Sequence, residues 1–264
     1  KKIKRMADVM YSLEDGMGQT PLFNDSGDNV ARSMVSLLAA LREEFGITPD
    51  YKASFPDAGY YCLRSGDVKV LLDAGAIAPD YMPGHGHCDG LSFELSRQGH
   101  PVFVNSGTGM YQGALRGYFR STAAHNTVMI GDKNSSEVWG GFRVGRRARV
   151  TLLKDSPNEV EAWHDGFGSL GRHLRKFTID KDRFRIEDSV STAVKAVSLI
   201  HLAPDVEIMS CSRTEIVTNI AAIRVAGASS VEIVDDQVSF TYNRFHLSKT
   251  IRIHFVKRLS YTIG

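Results

Sequence analysis

Three histidines in glycine-rich surroundings are the residues of this chain best suited to chemistry. His85 and His87 lie two residues apart in the stretch 84–90, GHGHCDG, and His125 lies in the stretch 121–127, STAAHNT. Imidazole moves protons near neutral pH and is a common metal ligand. In an extended segment His85 and His87 point the same way and share a pocket, whereas a backbone broken by glycine divides them between neighbouring sites. Either arrangement predicts a chemical site.

Composition excludes several classes of partner. The 32 basic and 30 acidic residues leave a formal net charge of +2, so no global field attracts nucleic acid or an anionic membrane surface. No run is apolar enough to span a membrane, and no secretory signal pattern opens the chain. The 3 cysteines are odd in number and widely spaced, which argues against a disulfide framework or a Cys-x-x-Cys metal site. Any attraction for an anion must therefore be local.

Arginines supply such a local charge on both sides of the second histidine motif. Arg116 and Arg120 precede His125, and further arginines follow it within residues 143–149. Guanidinium groups suit a carboxylated or sulfated ligand, although most of these arginines could equally lie on the solvent face of strands. Arg120, inside the motif, is predicted to bind substrate. If Glu94 faces inward, Arg120 is also its candidate partner.

Two amphipathic helices are predicted before residue 50. Apolar residues recur at helical spacing from Ile3 to Leu13 and again from about Asn29 to Phe45, with capping candidates at residues 25–28. Two helices joined by a Gly/Pro loop do not make a domain. Their apolar faces must therefore pack against a β domain or against helices that this chain lacks.

From about residue 55 onward the pattern changes to alternation with frequent turn residues. It predicts roughly fifteen short strands, among them 220–225, 230–234, 238–242 and 250–256. Because no helices intervene, the predicted fold class is mainly β: an antiparallel multi-stranded β-sandwich of stacked sheets preceded by a short α-helical segment. The histidines outside the two motifs lie in strands or turns, where packing is expected for each.

Several motifs follow one another in a fixed order. They are FPDAGYY at 55–61, LLDAG at 71–75, GHGH at 84–87, LSFEL at 91–95, NSGT at 105–108, YFRSTAAHNT at 118–127 and WG at 139–140. Together they resemble the heparinase II/III-type polysaccharide lyases, a bacterial family. The resemblance implies a helical (α/α) toroid followed by a β-sheet domain, with the polysaccharide cleft between them. On that basis residues 1–50 are the C-terminal end of the toroid, and residues 51–264 are the heparinase II/III-like β-sandwich domain.

The resemblance also implies a reaction, β-elimination on uronic-acid-containing polysaccharides. A base removes the proton at C5, an acid protonates the departing glycosidic oxygen, and an unsaturated sugar remains. The difficult step is stabilising the charge that grows on the uronate carboxylate. His85 corresponds to the active-site histidine that faces the substrate. Arg120, Trp139 and Tyr118 are the predicted substrate-binding residues, and for the two aromatic side chains packing at a strand edge is the alternative.

A zinc ion is the cofactor that the resemblance implies, with His87 and His125 as two of its ligands. The family pattern has an aspartate as the third ligand, but Asn105 occupies that position. A neutral amide oxygen is a poorer Zn²⁺ ligand than a carboxylate, and Asp89 or Cys88 could substitute. The predicted zinc ligands are therefore His87, Asn105 and His125, and Ca²⁺ is less favoured because carboxylates come singly in these turns.

Half of the predicted active site lies outside the chain. The resemblance puts the catalytic tyrosine and its asparagine or histidine partner on toroid helices, so we expect little or no activity from residues 1–264 alone. It implies a periplasmic or secreted protein with an anionic uronate polysaccharide as partner. The alternative, favoured by Asn105, is a noncatalytic carbohydrate-binding or scaffolding β module in exopolysaccharide assembly. A third hypothesis, a metal-dependent hydrolase, needs more carboxylates than Asp89 alone provides.

Overall fold

A computed structural model describes residues 1–28 and 30–264. The helices are α1 (Lys2–Leu13), α2 (Met34–Phe45) and α3 (Arg116–Phe119), with 3₁₀ turns at Thr122–Ala124 and Gly168–Leu170. The strands are β1 (Ser54–Phe55), β2 (Tyr60–Ser65), β3 (Val68–Asp73), β4 (Ser92–Arg97), β5 (His100–Phe103), β6 (Val128–Ile130), β7 (Val138–Trp139), β8 (Arg143–Val144), β9 (Val150–Ser156), β10 (Glu159–His164), β11 (His173–Asp180), β12 (Arg183–Val190), β13 (Lys195–His201), β14 (Ile208–Cys211), β15 (Glu215–Thr218), β16 (Ala222–Thr241) and β17 (Arg244–Ile263).

Two antiparallel sheets make up the β domain. The smaller one has five strands in the order β1-β2-β3-β4-β5. The larger one has ten strands and runs β14-β15-β16-β17-β12-β11-β10-β9, while β13 pairs with both β17 and β6. A separate two-stranded ribbon joins β7 to β8. The predicted fold class, an antiparallel β-sandwich of stacked sheets after a helical segment, is confirmed.

Aromatic side chains fill the space between the two sheets. Phe93 of β4 lies with its ring centroid 6.4 Å from that of Phe177 in β11 and 5.5 Å from that of Phe184 in β12. All three rings are fully buried. Truncating such a side chain to alanine costs about 3–5 kcal/mol, because a cavity remains where the ring was. This contact therefore holds the strand that leads out of the glycine-framed loop against the larger sheet.

The two longest strands correct the predicted strand pattern. The sequence predicts separate strands at 220–225, 230–234 and 238–242, whereas β16 is one strand of 20 residues paired with β17. Register shifts between Ala226 and Ser230 interrupt the alternation without ending the strand, and Gly227 takes the positive φ of 92° that such a break requires. A bulge changes which side chains face inward and so interrupts the alternation of apolar residues. In the sequence, a strand that contains bulges therefore looks like several short strands.

The two long helices lie at the edge of the described fold. Ser33, rather than residues 25–28, caps α2, and the predicted start at Asn29 lies outside the described residues. Helix α1 buries Ala7, Asp8 and Ser12, while its apolar Ile3 and Met6 stay exposed. The β domain therefore does not cover the predicted apolar face. In the part of the chain that the structure describes, no helix is long and apolar enough to cross a membrane.

The loop between α1 and α2 is built into the β domain. Leu22 is buried in the main core, and its backbone N–H donates to Glu94 Oε1 at 3.0 Å. Asn105 N–H donates to the same oxygen at 2.9 Å. Glu94 therefore faces inward with backbone donors, and the expected pairing with Arg120 is wrong. Burial raises the pKa of Glu94 to about 8. The domain boundary near residue 50 stays a prediction.

Candidate active site

A buried aspartate, Asp25, holds both histidines of the glycine-framed loop. His85 Nδ1 lies 2.9 Å from Asp25 Oδ2, and His87 Nε2 lies 2.8 Å from Asp25 Oδ1. Arg116 donates to both carboxylate oxygens, at 2.7 Å for Oδ2. Burial alone would raise the pKa of Asp25, but hydrogen bonds from His87 and Arg116 hold this pKa well below its usual value. Asp25 is therefore an ionised carboxylate that orients two imidazole rings.

The glycine between the two histidines decides which one meets solvent. The His85 side chain is 56% exposed, whereas that of His87 is 0% exposed. A Cβ at Gly86 would lie 2.7 Å from the carbonyl oxygen of Ile77, so only glycine allows this close approach. The backbone N–H of His87 donates to the Asn24 side chain at 2.9 Å. Of the two arrangements that the sequence leaves open, the structure shows the divided one.

His85 stands at the mouth of an open cavity. The cavity measures about 730 Å³, and its wall includes apolar residues such as Ile77 and Val150. The edges of two aromatic rings flank the imidazole, with centroids at 6.0 Å for Tyr111 and 5.5 Å for Phe142. No partner for His85 Nε2 lies in the described part of the chain. A ring that is held through Nδ1 and lines a cavity can give or take a proton at its free Nε2.

Behind His85, the buried rings of His87 and His125 lie with their centroids 5.3 Å apart. Among residues 1–28 and 30–264, His87 Nδ1 and both ring nitrogens of His125 reach no hydrogen-bond partner of acceptable geometry. Burial lowers the pKa of both histidines, so both are neutral near pH 7. Leaving a buried polar atom unpaired costs about 1–3 kcal/mol. These atoms therefore point to a bound ligand or water.

Asn105, the third predicted zinc ligand, is buried but its side-chain oxygen is already engaged. Asn105 Oδ1 accepts the backbone N–H of Asn126 at 3.0 Å, while within the described ranges Nδ2 forms no hydrogen bond of acceptable geometry and lies near the Glu94 carboxylate. Cys88 is also buried and donates through Sγ to the Ser136 carbonyl. Among the described residues, no three His, Cys, Asp or Glu side chains form a group that could hold a metal ion. Zinc binding at this site therefore stays a prediction. Its support is that His87 and His125 each have a ring nitrogen without a hydrogen bond of acceptable geometry.

Arg120, a predicted substrate-binding residue, is fully buried behind the histidine loop. Its Nη2 donates to the Gly86 carbonyl at 3.1 Å, and its Nη1 donates to the carbonyls of Gly141 and Arg143, each at 3.3 Å. These bonds tie the histidine loop to the ribbon of β7 and β8. A direct contact with a polysaccharide would require Arg120 to give up these carbonyls, so substrate binding by Arg120 stays a prediction.

The two predicted aromatic contacts differ in their exposure. Tyr118 is half-buried, and its hydroxyl donates to Asp236, which together with burial raises the pKa of Tyr118. Trp139 in β7 is 47% exposed. Of the two, Trp139 is the more exposed and so the better suited to stack on a sugar. Sugar binding by either residue stays a prediction.

A model of the heparinase II/III-like C-terminal domain matches residues 48–263 of the chain. The chain belongs to the heparinase II/III-like family. A curated relative, the heparin-sulfate lyase of Bacteroides thetaiotaomicron, is 27% identical in an alignment of 164 residues that covers 55% of this chain and 22% of the relative. The resemblance of the ordered motifs to this family is therefore confirmed.

Solved structures agree with the fold of this heparinase II/III-like chain. The heparan sulfate lyase HepC from Pedobacter heparinus superposes with a TM-score of 0.78 at 17% identity, covering 99% of this chain and 46% of that one. A heparinase III superposes with a TM-score of 0.72 at 19% identity, covering 99% of this chain and 48% of that one. The chain thus spans less than half the length of the relatives it matches.

Sequence reasoning missed three polar residues of this heparinase II/III-like site. Asp25 lies in the segment 25–28 interpreted as a helix cap, Asn24 lies just before it, and Arg116 was noted only as part of a basic cluster. Asp25 lies 60 residues from His85 and 91 residues from Arg116 along the chain. No local spacing connects residues so far apart. The sequence offered no signal for Asp25 beyond its place among the capping candidates.

Proposed function

We propose that the protein containing this heparinase II/III-like domain is a polysaccharide lyase that acts by β-elimination on a uronic-acid-containing polysaccharide. The observation that carries the proposal is the setting of His85, an exposed imidazole oriented by the ionised Asp25 at the mouth of an open cavity. The name of the heparin-sulfate lyase relative supports an anionic polysaccharide as substrate. The periplasmic or secreted location stays a prediction.

His85 can serve the reaction through one atom. Because Asp25 binds Nδ1, the proton of neutral His85 resides there and Nε2 carries a lone pair. The neutral ring can accept a proton at Nε2. The imidazolium instead donates from Nε2 to the uronate carboxylate and stabilises the negative charge that grows as the C5 proton leaves. Both roles need the orientation that Asp25 provides, since a rotated ring would direct Nε2 away from the cavity.

The remaining acid and base are proposed to come from a preceding toroid. Tyr111 is the tyrosine whose ring lies against His85. Burial and the nearby Asp25 raise the pKa of Tyr111, so its hydroxyl stays protonated and is a poor base. A tyrosine base needs an environment that lowers its pKa. The coverage of the relatives, of which this chain spans less than half, leaves room for a domain that supplies such a residue.

Zinc at the buried histidine pair is part of the same proposal. His87 Nδ1 and one nitrogen of His125 would bind the ion, with Asn105 Oδ1 sharing its second lone pair. A bound zinc ion would link the two histidine-bearing loops. The zinc content of the purified chain tests this, and His87→Ala and His125→Ala are each expected to abolish binding, with His100→Ala as the matched exposed control. Metal-free chain after purification in zinc contradicts it.

Formation of unsaturated uronate, followed by ultraviolet absorbance, tests the lyase proposal. The assay compares the 264-residue chain with the same protein extended upstream of Lys1, using heparan sulfate as substrate. We expect turnover only in the extended protein, and a loss of about 10²–10⁴-fold in its His85→Ala variant, the usual contribution of a positioned acid or base. His100→Ala should retain full turnover. Robust turnover by residues 1–264 alone overturns the need for the toroid.

The competing hypothesis, a noncatalytic carbohydrate-binding or scaffolding module, rests on Asn105 at the aspartate position. The same assay separates it from the lyase proposal. An extended protein that binds heparan sulfate but releases no unsaturated product, with or without His85→Ala, supports the binding module and overturns the lyase proposal. Turnover that depends on His85 rejects the binding module.

A further inference from the structure

The turn of the β16–β17 hairpin lies close to the loops that surround His85. Thr241 pairs with Arg244, which leaves Tyr242 and Asn243 as a two-residue turn. Asn243 takes a positive φ of 60°, a conformation that asparagine tolerates better than most residues. The tight turn therefore places a tyrosine at the very end of the longest pair of strands in the larger sheet.

The segment that carries Asp25 is bound to this end of the hairpin. The backbone N–H of Asp28 donates to the Phe240 carbonyl at 2.6 Å, and Asp28 forms a parallel bridge with Thr241. A Cβ at Gly27 would lie 3.2 Å from the same carbonyl. The backbone two to three residues after Asp25 therefore lies directly against the hairpin.

The loop that leads to Tyr111 is bound to the same end of the hairpin. Ser239 N–H donates to the Ser106 carbonyl at 2.9 Å, and Asn243 N–H donates to the Gly109 carbonyl at 2.8 Å. The loop is thus attached at two points, both through backbone hydrogen bonds. One hairpin end therefore contacts both of the segments whose side chains lie against the histidine at the cavity.

Tyr242 itself contacts Tyr111 in two ways. Its hydroxyl accepts the backbone N–H of Tyr111 at 3.1 Å, and the two ring centroids lie 5.2 Å apart. The Tyr111 ring also lies with its centroid 6.0 Å from that of His85 and 5.4 Å from that of Phe142. The guanidinium of Arg116 lies 5.2 Å from the centroid of the Tyr111 ring. Tyr242 is therefore separated from His85 by a single aromatic ring.

We propose that Tyr242 is a positioning residue for His85, because it fixes Tyr111 as the wall against which the His85 imidazole is held. The inference rests on the proposed function, in which His85 takes part in the reaction. Asp25 holds the imidazole through Nδ1, and a ring held by one hydrogen bond can still tilt about it. A fixed aromatic neighbour removes this freedom, and the orientation of a reacting group contributes strongly to the rate.

The NMR signal of the His85 Cε1 proton in the 264-residue chain tests the positioning directly. Neighbouring aromatic rings shift this signal, and its absence in His85→Ala assigns it. We expect Tyr242→Ala to move the signal toward that of an unstructured histidine and to weaken the NOE between His85 and Tyr111. Tyr242→Phe keeps the ring and removes the hydroxyl, so it should move the signal less. Leu247→Ala, an exposed position on the same hairpin, should leave it unchanged.

Turnover by the protein extended upstream of Lys1 measures the consequence for catalysis. Tyr242→Ala is expected to lower kcat by about 10–100-fold and to change KM by less than about twofold, because a misoriented imidazole slows the reaction without removing substrate contacts. Tyr242→Phe should recover most of this loss, and Leu247→Ala should keep wild-type turnover. Thermal unfolding checks that each variant is folded. If Tyr242→Ala is unfolded, Tyr242→Leu replaces it in both measurements.

Three results would overturn the proposal: an unmoved His85 signal in the folded Tyr242 variant, a loss that appears in KM alone, or an equal effect in Leu247→Ala. The two measurements also separate this inference from the proposed function. An unmoved signal, with turnover that is lost in His85→Ala, rejects the role of Tyr242 and leaves the lyase proposal intact. A moved signal, with turnover that His85→Ala does not change, supports the positioning of the ring and rejects the catalytic role of His85.

Discussion

Two buried histidine clusters in this domain differ in how completely their hydrogen bonds are formed. In the core cluster, Gly166 N–H donates to His164 Nδ1 at 3.1 Å, and His164 Nε2 lies 3.3 Å from His173 Nδ1. His173 Nε2 lies 2.8 Å from Asp188 Oδ1, and Arg175 donates to both oxygens of Asp188. Every ring nitrogen in this cluster therefore has a partner.

The active-site cluster uses the same residue types but leaves them incomplete. Asp25 and Arg116 form the matching carboxylate–guanidinium pair, and His87 contacts Asp25. Within the described ranges, however, His87 Nδ1 and both ring nitrogens of His125 form no hydrogen bond of acceptable geometry, although the backbone carbonyl of Phe119 lies near enough to His125 to favour its protonated form. Native proteins pair nearly all buried polar atoms, so unpaired ones mark a place where something else binds. The two clusters therefore differ in the completeness of their hydrogen bonding, and only the one at the candidate site leaves ring nitrogens available for a ligand.

The complete cluster also supports the incomplete one. Arg175 Nη1 donates to the carbonyl of Leu91, just after the first histidine stretch, and to that of Asn126, the residue after His125. These bonds measure 2.8 and 2.7 Å. One buried guanidinium thus fixes the ends of both loops that carry the active-site histidines. A rigid support of this kind holds the two loops in position even though they carry buried polar atoms without hydrogen-bond partners.

Replacing the carboxylate of each cluster should give the largest difference in stability between the two clusters. Asp188→Asn leaves the fully buried Arg175 without its counter-charge, so we expect a loss of about 3–5 kcal/mol in the free energy of unfolding. Asp25→Asn should cost less, about 1–3 kcal/mol, because Asp25 contacts the exposed His85 and lies nearer to solvent than the fully buried Asp188. Urea denaturation of the 264-residue chain measures both. Equal losses would show that the two clusters do not differ in this way.

Replacing one imidazole in each cluster sharpens the comparison. His164→Leu leaves Gly166 N–H and His173 Nδ1 without partners, and should cost about 1–3 kcal/mol. His125→Leu removes two nitrogens that form no hydrogen bond of acceptable geometry, so its cost should stay below about 1 kcal/mol. Thermal unfolding of metal-free protein compares the two variants. If His125→Leu is the more destabilising one, its nitrogens have partners in solution and the proposed ligand site loses its basis.

The pH dependence of stability should give the smallest effect. Burial lowers the pKa of His164 below its unfolded value of about 6.5, so folding disfavours the proton and stability falls as pH drops below that value. The free energy of unfolding should fall between pH 7 and pH 5.5, and we expect this fall to be about 1 kcal/mol smaller in His164→Gln than in the wild type. The raised pKa of Glu94, about 8, has the opposite effect. The stability that the protonated Glu94 side chain contributes is lost as pH rises from about 4.5 through 8.

Comparing the wild type with His164→Gln isolates the contribution of His164 to the pH dependence of stability, because Glu94 is present in both proteins. Chemical denaturation at the two pH values is the measurement. An identical pH slope in the two proteins would mean that His164 does not remain neutral in the fold.

Much of the fold was predictable because its signals are local. Alternation of apolar residues gave most of the strands, and the ordered motifs gave the family and the three histidines. Packing was expected for His164 and His173, and both are buried. Predictions were wrong where long-range contacts override a local pattern. Three predicted strands form the single strand β16, which continues through bulges. Glu94 accepts hydrogen bonds from backbone N–H groups rather than from Arg120.

The sequence by itself determined that this is a heparinase II/III-like β-sandwich with histidines in glycine loops, because residue type and spacing carry that information. Only the tertiary structure decided which histidine faces the cavity and which carboxylate orients it. Asp25 meets His85 and Arg116 across 60 and 91 residues, and such contacts form only when the sheets bring distant loops together. The division of the histidines likewise depends on the backbone of Ile77 lying against Gly86.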